Sequence, residues 1–239
     1  MQKRHNVTAE RIPAVGQVVS TAIIVNMLMA IMLFASSLQA NAADDNKPIH
    51  IAAFGDSLTS GYGVRPTDAF PVQLQKHLKA RGHNVTISNG GVAGDTTAAG
   101  LARIDWTIGD DVDAVIVELG ANDALRGIDP KVTRENLQKI LSALAGRNLP
   151  VLLTGMRSPA NWGETYSDDF DAIFPELAKE HSLLFYPFFL DGVILDVKLN
   201  QKDGMHPNGK GVAEIVRRIT PSVEELIGKV KAQRAAEKS

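Results

Sequence analysis

Residues Ile49 to Gly63 read IHIAAFGDSLTSGYG. Ile49–Phe54 is a short, nearly continuous apolar run, the pattern of a strand buried on both faces of a sheet. The run stops at Gly55, and small polar residues follow. Ser57 stands just past the strand end, beside a glycine. A serine there either caps a turn or helix or presents its hydroxyl and backbone N–H to a cleft.

Working outward, similar runs recur at Val85–Ser88, Ala114–Leu119 and Val151–Thr154, with a weaker one at Leu183–Tyr186. Helical spacing of apolar residues lies between them. It predicts helices over Phe70–Arg81, Val132–Ala145, Phe170–His181 and Val212–Val230, two of them stopped by Gly82 and Gly146. Strand–helix alternation implies an α/β fold, a three-layer α/β/α sandwich with a mostly parallel sheet. Ligands in such folds bind outside the carboxyl ends of the strands. The loops after Phe54, Ser88, Leu119, Thr154 and Tyr186 are therefore where functional residues are expected.

Asn89–Thr97 reads NGGVAGDTT, where glycines let backbone N–H groups approach an anion, or where a plain turn ends with Asp95 as helix cap. Leu119–Asp123 reads LGAND. An Asn122 amide at a strand end is a ready donor to a developing oxyanion, or a turn residue. Asp203–Asn208 reads DGMHPN. Spacing of three lets the Asp203 carboxylate reach the His206 imidazole, the pairing of a general base with its orienting group. Pro207 keeps His206 out of helical geometry, and Asn208 is placed to cap the last helix. A lone histidine is more often structural, so the paired aspartate carries this reading.

Other patterns carry less. Gly204–Gly211 reads GMHPNGKG, near a phosphate loop, yet it lacks the Ser/Thr that binds Mg²⁺ and follows no clear strand. H-E-x-x-H and G-x-S-x-G are absent. The remaining histidines show no ligand spacing and cysteine is missing, so no metal site is expected. Asp56, Asp95 and Asp123 are expected to brace loops by accepting backbone N–H bonds. Arg126 and Arg157 either face the cleft or pair at the surface. Ser158–Ser167, long and rich in turn residues, is a candidate lid with Trp162 and Tyr166 as its aromatic edge.

The chain has 239 residues, 44% of them hydrophobic and 22% charged, enough to bury a core. Its net charge of −2 offers no basic field for nucleic acid. The amino terminus has a different composition. Lys3, Arg4 and Arg11 precede an apolar run from Val18 to Ala35, then Ala40-Asn41-Ala42. This is the pattern of a secretory signal over residues 1–42, cut after Ala42 or kept as an anchor. Residues 43–239 are then one exported domain, periplasmic or secreted, with no stable membrane insertion after cleavage. Lys229–Ser239, charged and rich in alanine, reads as a frayed helix end.

Together the four loop segments, in this order, resemble the SGNH/GDSL hydrolases. Gly55-Asp56-Ser57-Leu58 matches the first motif block, Gly94 the block II glycine, Gly120-x-Asn122-Asp123 block III and Asp203-x-x-His206 block V. The resemblance runs from about Ile49 to about Ile227. Ser88–Ile104, Leu119–Gly127 and Asp203–Asn208 are similar to the secreted arylesterase and thioesterase I/lysophospholipase L1 branch. Gly155-Met156-Arg157 and Pro187-Phe188-Phe189-Leu190 are similar to it as well. One departure is Gly90-Gly91 before Val92, at the wall of the acyl site. The resemblance implies a flavodoxin-like fold with five parallel strands. It implies hydrolysis of carboxylic esters and thioesters without a cofactor, on a small-molecule or lipid-like acyl ester. Ser57, Asp203 and His206 would be the catalytic triad, and Ser57, Gly94 and Asn122 the oxyanion hole. The alternatives are a carbohydrate O-acetyl esterase using the same site and an exported binding domain without catalysis.

Overall fold

A computed structural model describes residues 47–239. The expected signal, residues 1–42, lies outside the described residues. Five strands form where the apolar runs stand: β1 (Ile49–Gly55), β2 (Val85–Gly91), β3 (Ala114–Glu118), β4 (Val151–Thr154) and β5 (Leu184–Tyr186). Their order in the sheet is β2-β1-β3-β4-β5, and every pairing is parallel. The register sets Ile51 beside Ile87 on one side and Ala114 on the other. β3 is buried throughout and β1 is buried except at His50, as expected for strands covered on both faces. β5 is half-buried, the reason its sequence signal is weak: it lies at one of the two edges of the sheet.

Chain order and strand order diverge at β1. The connection after β1 leads outward to β2, and the next returns to β3 on the other side. The carboxyl ends of β1 and β3 therefore flank a crevice, the position where open α/β sheets bind ligands. Residues Ser57 and Asn122 follow those two strands directly.

Helices cover both faces. Seven α-helices lie in the described residues, α1 (Ser57–Ser60), α2 (Phe70–Ala80), α3 (Thr97–Thr107), α4 (Ala121–Leu125), α5 (Pro130–Gly146), α6 (Glu164–Glu180) and α7 (Gly209–Ala236), with short 3₁₀ turns such as Pro66–Asp68 between them. α2 packs on α7 on one face of the sheet, and α3, α5 and α6 pack side by side on the other. The buried apolar cluster runs from Ile49 to Val230 and belongs wholly to the unit Pro48–Ser239, which thus carries a complete core of its own. None of the described helices is long and apolar enough to cross a membrane.

Three segments differ from the sequence expectation. α3 has no counterpart among the expected helices. Its buried residues are Thr97, Gly100, Arg103 and Ile104, which make no apolar stripe, and the helix comes so near the end of β3 that a Cβ on Gly100 would lie 2.5 Å from Leu119 Cδ1. Its cap is Thr96, whose side chain accepts from Ala99 N; Asp95 is engaged elsewhere. α6 begins at Glu164, six residues before the expected Phe170, because its first turn is polar and exposed. α7 continues to Ala236 through the stretch expected to fray.

Candidate active site

Asp56 ends β1 and caps α1, its Oδ1 accepting from Leu58 N at 3.0 Å. Ser57 is consequently the first residue of a short helix, with its N–H unpaired among the described residues. Its Oγ lies 3.0 Å from His206 Nε2. His206 Nδ1 lies 2.6 Å from Asp203 Oδ2. The other carboxylate oxygen, Oδ1, accepts from the backbone N–H groups of Met205 and His206, each at 3.0 Å. These bonds, His206 N first among them, lower the Asp203 pKa to about 2, so the carboxylate is charged throughout the neutral range. The three residues expected to act together are brought together across 149 residues of chain.

The histidine loop is fastened at its backbone. Asn200 and Pro207 form an antiparallel bridge. Gln201 N donates to His206 O at 2.7 Å, and Gln201 Nε2 donates to Tyr62 O and Pro207 O. Gln201 thus joins the loop after β1 to the loop before α7. Asn208 caps α7 as expected, Oδ1 accepting from Lys210 N and Gly211 N. The Tyr62 ring stands 4.8 Å from the His206 ring.

Gly94 adopts φ +86°, which L side chains disfavour. Its N–H has no partner among the described residues, while its carbonyl accepts from Arg126 at 2.8 Å. Arg126 therefore steadies the glycine turn. Asn122 Nδ2 donates to Asp56 Oδ2 and to Asp95 O, both at 3.0 Å. Both amide protons are already engaged, so any further acceptor has to displace one of these two.

Beneath these loops lie charges that sequence reasoning missed. Arg103, on the unexpected α3, is nearly buried and donates to Asp95 Oδ2 at 2.6 Å, Gly90 O at 2.8 Å and Gly55 O at 2.8 Å. Its guanidinium lies 4.4 Å from the centre of the Phe54 ring. Asp95 braces its loop through this ion pair, not through backbone N–H groups. Glu118, the last residue of β3, is fully buried. Its Oε2 accepts from Thr59 Oγ1 at 2.7 Å, and its Oε1 has no partner. Burial, and then the neighbouring Asp56 charge, raise its pKa well above the usual carboxylate range. Burial likewise lifts Asp56 to about 6, against the lowering effect of Leu58 N and Asn122. Asp123 braces as expected, taking Thr97 N at 2.8 Å and Thr97 Oγ1 at 2.5 Å.

The segment expected as a lid is tied down. Trp162 Nε1 donates to Ala124 O and Tyr166 OH donates to Ile128 O, both at 2.8 Å. Ser158 N donates to Asp171 Oδ1 at 2.8 Å. Residues 164–167 are the first turn of α6. Arg157 lies over the Phe188 ring at 4.9 Å. Among the described residues, no group of three or more His, Cys, Asp or Glu is placed to hold a metal ion.

Residues 53–213 match the family model described as GDSL-like Lipase/Acylhydrolase family. An arylesterase of Vibrio mimicus is 36% identical over 196 residues, which is 80% of this chain and 96% of that protein. The thioesterase 1/protease 1/lysophospholipase L1 of Escherichia coli K12 is 39% identical over 155 residues, 64% of this chain and 73% of its own. Among solved structures, AlinE4, an SGNH-hydrolase family esterase, is 44% identical with a TM-score of 0.64. It covers 75% of this chain and 96% of its own.

Proposed function

The chain belongs to the GDSL-like lipase/acylhydrolase family and is an ester-hydrolysing serine hydrolase; we propose that Ser57, His206 and Asp203 perform that hydrolysis. The observation that carries this reading is the continuous contact from Asp203 Oδ2 through the imidazole to Ser57 Oγ, with spacings of 2.6 and 3.0 Å. His206 Nε2 takes the hydroxyl proton as Ser57 Oγ attacks the acyl carbon. Asp203 selects the tautomer with its proton on Nδ1 and stabilises the imidazolium. His206 then returns the proton to the leaving alcohol or thiol. Water, deprotonated by the same imidazole, releases the acid from the acyl-serine.

The tetrahedral oxyanion is held by the N–H groups of Ser57 and Gly94, both unpaired among the described residues, and by Asn122. Asn122 exchanges one of its acceptors for the oxyanion. That contact strengthens only as charge develops, so it lowers the barrier rather than binding substrate. Arylesters, acyl thioesters and lysophospholipids are the proposed substrates, on the likeness to the arylesterase and thioesterase relatives. Residues 1–42 serve as the export signal and 43–239 as one hydrolase domain, on the basic, apolar and A-x-A pattern alone.

The test uses residues 43–239 and the Ser57→Ala variant against p-nitrophenyl esters from acetyl to palmitoyl. Wild-type protein should hydrolyse them and take a covalent fluorophosphonate label, and the variant should do neither while keeping its unfolding midpoint. Wild-type turnover by Ser57→Ala would remove Ser57 from the mechanism. Sequencing the amino terminus of the exported protein tests the cut after Ala42.

A further inference from the structure

The segment between β5 and α7 presents a side-chain arrangement that hydrolysis does not use. Leu195 is 84% exposed and Val197 88%, the most exposed large hydrophobic residues in the described chain. Ile194 and Met205, also exposed, extend the same region. Single exposed aliphatic residues are ordinary on a protein surface. Here they are held outward at a cost. Leu195 has φ +65°, a left-handed conformation that disfavours a branched L residue.

The tip is braced rather than slack. Val193 is buried beneath it, and the buried Asn200 donates through Nδ2 to Val193 O at 2.7 Å and Asp196 O at 2.9 Å. Its base is the strand-like pairing that carries the histidine: Asn208 N donates to Leu199 O, and Gln201 N to His206 O. Whatever seats on Leu195 and Val197 is thereby fixed close to the mouth of the site.

The charges around the tip divide unequally. Asp191 pairs with Arg218 and Asp203 is held by His206, while Asp196 accepts from the Lys198 backbone N–H and keeps its charge against the lysines that follow it. Lys198, Lys202 and Lys210 have no carboxylate partner among the described residues. Lys198 and Lys210 share the rim of an open cavity of about 440 Å³ with Arg65, Asp68 and Asn208. Lys202 borders a second, of about 360 Å³, with Leu195 and Val197. Two protruding aliphatic side chains, with Lys202 bordering the same cavity and Lys198 next to Val197 in the chain, fit a layer of anionic headgroups: the aliphatic tips enter it and the lysines meet its phosphates. We propose that Ile194–Lys202 is an interfacial anchor that docks the enzyme reversibly on an anionic phospholipid bilayer, with the His206 side of the site turned toward it. This goes beyond the ester-hydrolase reading, and it is tested without turnover.

Residues 43–239 carrying Ser57→Ala, which leaves vesicle lipid intact, are sedimented with vesicles of phosphatidylcholine alone or with a quarter phosphatidylglycerol. The protein should bind the anionic vesicles, bind pure phosphatidylcholine far less, and be released by salt. Adding L195D and V197D should weaken partitioning at least tenfold, about 1.4 kcal/mol. Adding K198E and K202E should remove most of the salt dependence. On the wild-type serine background, L195D/V197D should hydrolyse soluble p-nitrophenyl butyrate at the unaltered rate. That readout separates loss of the anchor from damage to the site, and it also shows whether the esterase reading itself holds. Three results overturn the proposal: no binding to anionic vesicles, binding indifferent to L195D/V197D, or a wild-type dimer in sedimentation velocity that L195D/V197D dissolves. The last would make a second copy of the chain the occupant.

Discussion

Arg103→Met tests the frame of the site rather than its reacting groups. The arginine side chain is 8% exposed and that of Asp95 is 13%. One guanidinium ties Asp95 Oδ2, Gly90 O and Gly55 O together beneath the loops after β1 and β2. Methionine retains much of the stem and loses the charge and every donor. Asp95 is then a carboxylate with little water and no cation. Breaking a buried pair from one side costs about 3–5 kcal/mol. Against a total of about 5–15 kcal/mol for an ordinary domain, the variant should fold with a thin margin. In a unit of this size each kcal/mol moves Tm by about 2–4 °C, so the midpoint should fall by about 6–20 °C. Urea unfolding followed by circular dichroism measures the loss, with the slope checked against wild type. Adding Asp95→Asn should recover part of it, because a neutral amide tolerates the missing cation; that coupling is the signature of the pair. Asp95 O is also an acceptor for Asn122. A shifted Asp95 should therefore lower kcat for soluble esters while KM changes little. A stability loss under about 1 kcal/mol with additive double-variant energies would refute the reasoning, since a desolvated pair cannot be lost so cheaply.

Three further outcomes are expected. Asn122→Ala should reduce kcat by about 10²–10³ with KM nearly constant; an effect confined to KM would remove it from the oxyanion site. Glu118→Gln should gain stability over wild type as pH rises from about 5 to about 8, measured by calorimetry. The raised Glu118 pKa means that the native state keeps a proton the unfolded chain releases, so wild-type stability falls with pH while glutamine has nothing to titrate; a constant gap would contradict a protonated Glu118. Trp162→Phe should cost about 1 kcal/mol for the lost bond to Ala124 O and speed amide exchange across 158–163; unchanged exchange would show that the ring, not the bond, anchors the segment.

What was legible in the sequence, and what was not, divides by the range of the forces involved. β1, β3 and β4 are apolar because both their faces are covered, so hydropathy alone marks them. Asp203 and His206 are three residues apart, and Asn208 caps the helix it precedes; such pairings are local and can be read from spacing. α3 escaped because its packing depends on Gly100 lying against Leu119, a close approach that leaves no apolar period. Trp162 and Tyr166 looked like the edge of a lid because their partners are carbonyls 38 residues away.

The same division runs through the site. The residues assigned to the chemistry stand just after strands or, for Asp203 and His206, just before the last helix, where a glycine or a proline announces the turn. Those that set their positions, Arg103, Glu118 and Gln201, act across the sheet and look ordinary where they stand in the chain. An arginine eight residues from its aspartate on a helix reads as a surface charge until the fold closes over both. A glutamate ending an apolar strand reads as the strand's exposed tip until Asp56 and Thr59 are packed on it. Burial turns these two charges from incidental into decisive, because desolvation multiplies the consequence of each partner gained or lost. Substitutions at Arg103 and Glu118 should therefore move stability and its pH dependence before they move substrate preference. Substitutions at Ser57, His206 and Asn122 should instead lower turnover, with the smaller effect on stability.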